Sequence, residues 1–207
     1  MKRFLVINIF LILLTVNVLA QLGIRVGVNS TEQIRTFIER PNDFSSEKLT
    51  GFQAGLVWQS KFGKSGFATE IGALYTQKGS FYGYTTVSDT VKKFDELNYI
   101  EIPLNIRFMP PINSPINVYG MCGVYFSYLL DGKTFNEIDK SSVKMNFRSV
   151  TERIDVGVSA GAGVQLLGKI QLGLTWNWGF MQTPLSTSEI VKNFKNRNFS
   201  VNLTYVF

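Results

Sequence analysis

The sequence predicts an all-β fold, an eight-stranded antiparallel up-and-down transmembrane β-barrel. Three observations predict it. Apolar residues recur with period two, the mark of a strand with unlike faces, and not with the helical period near ~3.6. Eight such runs follow the N-terminal segment. Several exceed the usual five or six residues of a soluble strand and approach the about 9–11 that a tilted strand needs to cross hydrocarbon. The connections between runs alternate strictly between short and long, the rhythm of barrels that carry tight turns at one membrane face and loops at the other.

The N-terminus is an address. Met1, Lys2 and Arg3 make a positive start, and Phe4 to Leu19 is an apolar run broken only by Asn8, Thr15 and Asn17. Val18-Leu19-Ala20 before Gln21 has the small residue of a cleavage site. We expect residues 1–20 to be a cleaved secretory signal peptide and residues 21–207 to form one barrel domain. An N-terminal anchor is the competing reading, but the run falls short of the about 20 residues a span needs. No cysteine follows it, so lipoprotein processing has no acceptor.

The first run places Leu22, Ile24, Val26 and Val28 against Gly23, Arg25, Gly27 and Asn29. The second sets Phe52, Ala54, Leu56 and Trp58 against Gln53, Gly55, Val57 and Gln59. Phe67 to Tyr75 and Ile100 to Phe108 are the third and fourth. The fifth, Ile116 to Tyr128, is apolar on both phases, so its facing stays open. The sixth, Ile154 to Leu166, opposes aliphatics to Asp155, Gly157, Ser159, Gly161, Gly163 and Gln165. Ile170 to Phe180 and Phe199 to Phe207 complete the set. Short connections fall at Lys61 to Gly66, Pro110 to Pro115 and Leu167 to Lys169. Long polar ones fall near Ser30 to Leu49, Gly79 to Asp95, Asp131 to Thr151 and Gln182 to Arg197. A secreted chain starts in the periplasm, so the first, long connection should be an outer loop. An even strand number then leaves both termini periplasmic.

Alternation suits a soluble sandwich as well as a membrane barrel. The membrane is favoured by the glycine-rich polar face, which suits a narrow lumen. It is favoured too by aromatics near run ends, such as Trp58, Phe62, Phe67, Phe108, Trp176, Trp178 and Phe180, as in interfacial girdles. Closure also removes sheet edges, which lipid does not tolerate.

Composition narrows the chemistry. The 207 residues contain no histidine and one cysteine, Cys122. Histidine-dependent triads, His-ligated metal sites and intrachain disulfides are therefore excluded. The net charge of +6 is too weak to argue for nucleic acid. We expect no enzymatic activity and no cofactor. Six charged residues fall on the inward phase: Arg25, Glu70, Lys78, Glu101, Arg107 and Asp155. In an eight-stranded lumen, just wide enough for side chains to fill, they must pair or be hydrated. We read them as a structural salt-bridge network; a proton relay or ligand site is the competing reading. Pro103 cannot donate to a ladder, so a bulge or a water is expected beside it.

Three stretches carry a family resemblance. Tyr99-Ile100-Glu101-Ile102-Pro103-Leu104-Asn105-Ile106 resembles the YxEIPL strand of the PorT-like outer-membrane β-barrel proteins of Bacteroidota. Asp155-Val156-Gly157 with Gly161-Ala162-Gly163 resembles their DxG…GxG strand. Phe199 to Phe207 resembles their closing strand, with Tyr205 and Phe207 matching the general assembly signal of outer-membrane barrels. The resemblance implies an integral outer-membrane location, makes Pro103 an expected feature, and links the chain to type IX secretion through the family's namesake. It supplies no catalytic residue.

The expected role is an accessory or scaffold in protein export or envelope assembly. Expected partners are outer-membrane lipid and lipopolysaccharide, the barrel assembly machinery, and a larger envelope or secretion complex. The loop Asp131 to Thr151, mixing Phe135, Ile138, Met145 and Phe147 with Lys133, Lys140, Lys144 and Arg148, is the candidate working surface, its basic groups suited to phosphates. One alternative is a soluble lipocalin-like ligand-binding barrel. Another is an outer-membrane lipid-modifying enzyme, for which Glu70 and Glu101 on adjacent strands offer the one carboxylate pair. Cys122 reads as a wall residue. Ser30 before Thr31 to Glu39, and Thr187-Ser188-Glu189, read as caps of short loop helices. Asn198-Phe199-Ser200 and Asn202-Leu203-Thr204 match the glycosylation triplet by accident of composition.

Overall fold

The computed structural model describes residues 20–37, 43–85, 90–112, 114–138, 140–145, 147, 149–181, 183–184 and 191–207. Residues 1–19 of the expected 1–20 signal peptide and the expected cap at Thr187-Ser188-Glu189 lie outside them, and Ala20 begins the first strand. Eight long strands form the ring: β1 (Ala20–Phe37), β2 (Ser45–Lys61), β3 (Phe67–Thr85), β4 (Thr90–Phe108), β5 (Ile116–Asn136), β7 (Ile154–Leu166), β8 (Ile170–Gly179) and β10 (Val191–Val206). Two short ones, β6 (Ser142–Lys144) and β9 (Thr183–Pro184), ride on β5 and β10. Each long strand pairs antiparallel with the next, and β1 pairs with β10, so the sheet closes.

The register fixes the tilt. From Phe207, whose N–H donates to the Leu22 carbonyl, the pairing runs through Trp58, Ile71, Leu104, Val124, Val158 and Trp178 and returns to β10 at Arg197. The return lies ten residues from the start. A stagger of that size over eight strands requires the roughly 35–45° tilt at which such a sheet closes around a side-chain-filled interior.

The faces sort by chemistry. Leu22, Ile24, Val26 and Val28, and likewise Phe52, Leu56 and Trp58, Leu104 and Ile106, Leu172, Leu174 and Trp176, point outward and are exposed. They form an apolar belt around the ring. Inward positions are mostly polar or glycine, with a few apolar ones such as Val57, Leu74 and Val206. The open facing of Ile116 to Tyr128 is resolved: Tyr119, Met121, Tyr125 and Ser127 point in, while Val118, Cys122, Val124 and Phe126 point out.

The short connections are tight. Leu167 and Gly168 both have positive φ, 49° and 73°, which gives the two-residue turn whose twist matches flanking strands. The long connections differ from expectation. β1 runs to Phe37, β2 begins at Ser45, β3 runs to Thr85, β4 begins at Thr90 and β5 runs to Asn136. Most of the residues assigned to loops are paired strand, so a collar of sheet rises beyond the belt. The helix after Ser30 is corrected too: residues 31–37 pair with β10, and Thr31, Gln33 and Arg35 are buried inside. Pro103 makes no bulge in its own strand. The β3–β4 ladder instead skips Gly72 and Ala73, and a Cβ at Gly72 would lie 3.2 Å from the Pro103 ring, so glycine makes room for the proline.

Candidate functional site: the tiered lumen and its rim

The interior holds eight buried charges among the described residues, four of each sign. They fall into three tiers. In the first, nearest the short turns, the Arg25 guanidinium clamps Glu70, with Nη1 donating to Oε1 at 3.0 Å and Nη2 to Oε2 at 2.8 Å. Arg107 Nη1 donates to Glu70 Oε2 at 2.6 Å, and its guanidinium lies 4.0 Å from the centre of the Tyr119 ring. Gln59 adds a donor to Glu70 at 2.9 Å and exchanges amide bonds with Gln171, 3.0 Å each way. One carboxylate thus serves two guanidiniums, and the tier carries one net positive charge.

The second tier is built on Lys78. Its ammonium lies 2.7 Å from Glu101 and 3.4 Å from Asp155, between the rings of Tyr99 and Tyr125 at 5.0 and 4.6 Å. Ser127 and Asn177 donate to Glu101, each at 3.1 Å. Asn196 donates to Asp155 Oδ2 at 3.0 Å and to the Tyr99 hydroxyl at 3.2 Å. Two carboxylates share one ammonium, so this tier carries one net negative charge.

Above it an apolar layer of Leu97, Tyr99, Leu129, Met145 and Phe194 closes the lumen, with Phe147 packed against it. Met145 and Phe147 were expected on a displayed loop. Met145 is drawn in instead, its N–H donating to the Gly132 carbonyl at 2.9 Å. A side chain at Gly132 would collide with Leu97 and crowd the Met145 sulfur, at 2.8 and 3.3 Å, so that glycine holds the space for the methionine. The third tier lies in the collar. Arg35 Nη2 donates to Asp95 at 2.6 Å and to Gln33 at 2.7 Å, Thr134 donates to Asp95 at 2.7 Å, and the guanidinium sits 3.6 Å from the Tyr82 ring centre.

All six sequence-predicted charges face the lumen, three in the first tier and three in the second. Glu70 and Glu101 belong to different tiers and do not pair with each other. Arg35 and Asp95 were missed because both lay in segments read as loops. Their inward phase, odd-numbered with Arg25 and Glu101, was the signal available. Buried and saturated, the first-tier groups offer no free acid, base or nucleophile. A lumen so filled will pass no steady current: in planar bilayers we expect no stable open level, and a long-lived ohmic channel would contradict the packing.

At the rim, Phe81, Phe94 and Phe135 stack across three strands, at 5.2 and 4.7 Å between ring centres. Beside them opens a cavity of about 350 Å³ lined by Phe81, Tyr82, Tyr84, Lys92, Glu47 and Glu137 among others. Tyr205 and Phe207 end β10 facing outward, their rings in edge contact at 5.4 Å.

The fold has solved counterparts. OprG from Pseudomonas aeruginosa is 13% identical over 91% of this chain and 96% of its own, with a TM-score of 0.51. Ail of Yersinia pestis is 15% identical over 91% and 99%, at 0.44. Neisserial surface protein A is 11% identical over 91% and 99%, at 0.47. At such identities the likeness is one of fold. No curated protein matches the chain. The model of the outer membrane protein beta-barrel domain matches residues 18–183. With a closed ring, an apolar belt turned outward and a polar, charge-paired lumen, the chain belongs to that family of outer-membrane β-barrel proteins.

Proposed function

We propose that this chain is a non-enzymatic outer-membrane barrel of the PorT-like type, acting as an accessory or scaffold in protein export or envelope assembly. The observation that carries the reading is the collar. Sheet continues past the apolar belt on β1 to β5 and β10, and the lumen beneath is filled. A filled barrel with a stiff rim suits holding a partner better than conducting a solute. The rim offers stacked aromatics beside the exposed lysines Lys92, Lys133, Lys140 and Lys144, a surface suited to lipopolysaccharide phosphates or to an acidic protein face.

The proposed orientation puts both termini and the short turns in the periplasm and the collar outside. Tyr205 and Phe207, in and just after the closing strand, would then meet the barrel assembly machinery. The saturated first tier and the absence of histidine from the chain count against a lipid-modifying enzyme. The outward apolar belt counts against a lipocalin-like barrel, which turns that face inward.

The test is to tag the chain between Glu137 and Ser141, extract native envelopes in mild detergent, and identify stoichiometric companions. Boiled and unboiled samples run side by side report the folded barrel. Export components or a larger barrel at near-equal amounts support the scaffold. A heat-dependent mobility shift with no companion removes that role and leaves the barrel.

A further inference from the structure

The outward face of the collar carries a second aromatic surface, cut off from the belt. On β3 the last outward residue of the belt is Tyr75, and Gln77 and Gly79 follow it before Phe81. Their partners are Asn98 and Glu96 on β4, and beyond these Asp131 and Lys133 on β5. A polar band thus separates the Phe81–Phe94–Phe135 stack from the belt. Phe81 lies six residues beyond Tyr75, which at about 3.3 Å per residue and a tilt of about 40° is about 15 Å along the barrel axis. Girdle aromatics sit at the edge of the hydrocarbon; these rings stand clear of it.

The rim cavity of about 350 Å³ adjoins the stack at Phe81, and its size is that of small-ligand pockets, about 300–1,000 Å³. Gly83 is its floor. It shares the outward phase of Phe81, pairs with Ser45 on β2 and Lys92 on β4, and has no side chain to fill the space. The walls are held in place. Phe44, between Asp43 and Ser45, packs edge-on against Phe37 at 4.6 Å, and the Glu137 N–H donates to the Lys92 carbonyl at 2.9 Å. The side chains of Glu47, Glu137 and Lys92 are exposed and make no ion pair or hydrogen bond with another described residue.

The lining argues against the simpler ligands. Its carboxylates, Asp43, Glu47 and Glu137, outnumber its lysines, Lys92 and Lys93, so a phosphate or sulfate meets net repulsion there. Among the described residues no three carboxylates lie close enough to hold a metal ion. An acyl chain would cover charged groups without pairing them. A carboxylate only accepts and an ammonium only donates, whereas a hydroxyl does both and satisfies either. A ring with an apolar C–H face and a rim of hydroxyls matches an aromatic wall set among such groups. We propose that this cavity binds a saccharide, one or two sugar rings laid with a C–H face on Phe81, their hydroxyls donating to Glu47 and Glu137 and accepting from Lys92. The site lies within the rim proposed above as a working surface and rests on that reading only for the collar's being outside. The sugar comes from lipopolysaccharide of the surrounding leaflet or from a soluble glycan.

The test uses the folded barrel in an amine-oxide detergent, which carries no sugar. Saturation-transfer NMR with irradiation of the protein's aromatic protons is run on maltose, lactose and chitobiose, and on a lipopolysaccharide sugar chain freed of lipid and phosphate. Transfer to the C–H protons of at least one is expected, and inorganic polyphosphate should not displace it. Replacing both exposed carboxylates, Glu47→Ala with Glu137→Ala, should keep the heat-dependent mobility of the folded barrel and weaken binding by at least about tenfold, the weight of one hydrogen bond to a charged group. Gly83→Leu, which fills the floor, should abolish transfer. Tighter binding of the lipopolysaccharide chain than of the disaccharides assigns the sugar to the leaflet, and the reverse assigns it to a soluble glycan. No transfer to any of the four, displacement by polyphosphate, or transfer undiminished in the folded variants would overturn the site. Sugar binding is read without any companion protein, so it fails or stands separately from the scaffold role.

Discussion

Replacing Glu70 with glutamine will destabilise the barrel by about 3–5 kcal/mol, the range for removing one partner of a buried ion pair. Glu70 is fully buried and is the only anion in a tier with two guanidiniums. Glutamine nearly preserves its volume, but the tier then holds two uncompensated cations in place of one, and the new amide points donors at donors. Arg107→Met is the informative partner. It leaves the Arg25–Glu70 clamp intact, with Nη1 and Nη2 still on the two oxygens, and returns the tier to neutrality. It should therefore cost clearly less than Glu70→Gln despite removing a larger polar group. Urea titration of the refolded barrel, followed by the mobility of unboiled samples, measures both. Equal losses would mean that contacts, and not charge balance, govern this layer.

The belt was legible in the sequence because lipid writes it there. Between Leu22 and Val28, or Ile170 and Phe180, the outward residue must be apolar and the inward one polar or small, so every second letter changes class. The collar was not legible because that contrast disappears where the outside meets water. Thr31, Gln33 and Arg35 alternate inward, but of the outward residues around them Ser30, Glu32 and Thr36 are polar too and Ile34 alone is apolar, so the period vanishes although the pairing with β10 continues. The fifth strand failed for the opposite reason. Tyr119 and Tyr125 look like wall residues but turn inward, where their rings lie against the Arg107 and Lys78 cations. The inward phase of the six charges could be read from single strands. Their grouping into tiers could not, because it depends on closure: Arg25 and Glu70 lie on strands that are not neighbours, and only the curvature of the ring brings them to 2.8 Å.

Leu104→Lys is expected to cost about 2–4 kcal/mol in a bilayer, the penalty for a cation on a barrel's lipid face at mid-depth. Leu104 is 51% exposed and sits midway along the outward run from Ile100 to Phe108. On the line traced round the ring it is flanked by Ile71 on β3 and Val124 on β5, so no polar neighbour is at hand to receive an ammonium. Ile34→Lys provides the contrast. Ile34 also points outward, at 38% exposure, but it lies on the collar extension of β1 beside Lys195 of β10. If water surrounds the collar, that change costs no more than about 0.5 kcal/mol, as at ordinary surface sites. A lysine scan along the outward residues of β1 and β4, read by unfolding in lipid vesicles, should therefore give a penalty that peaks near Ile24 and Leu104 and falls toward Ile34 and Phe94. A flat profile would mean that the outward apolar face does not meet lipid. A penalty extending over Ile34 would place the collar inside the bilayer, and with it the rim aromatics proposed here as a working surface.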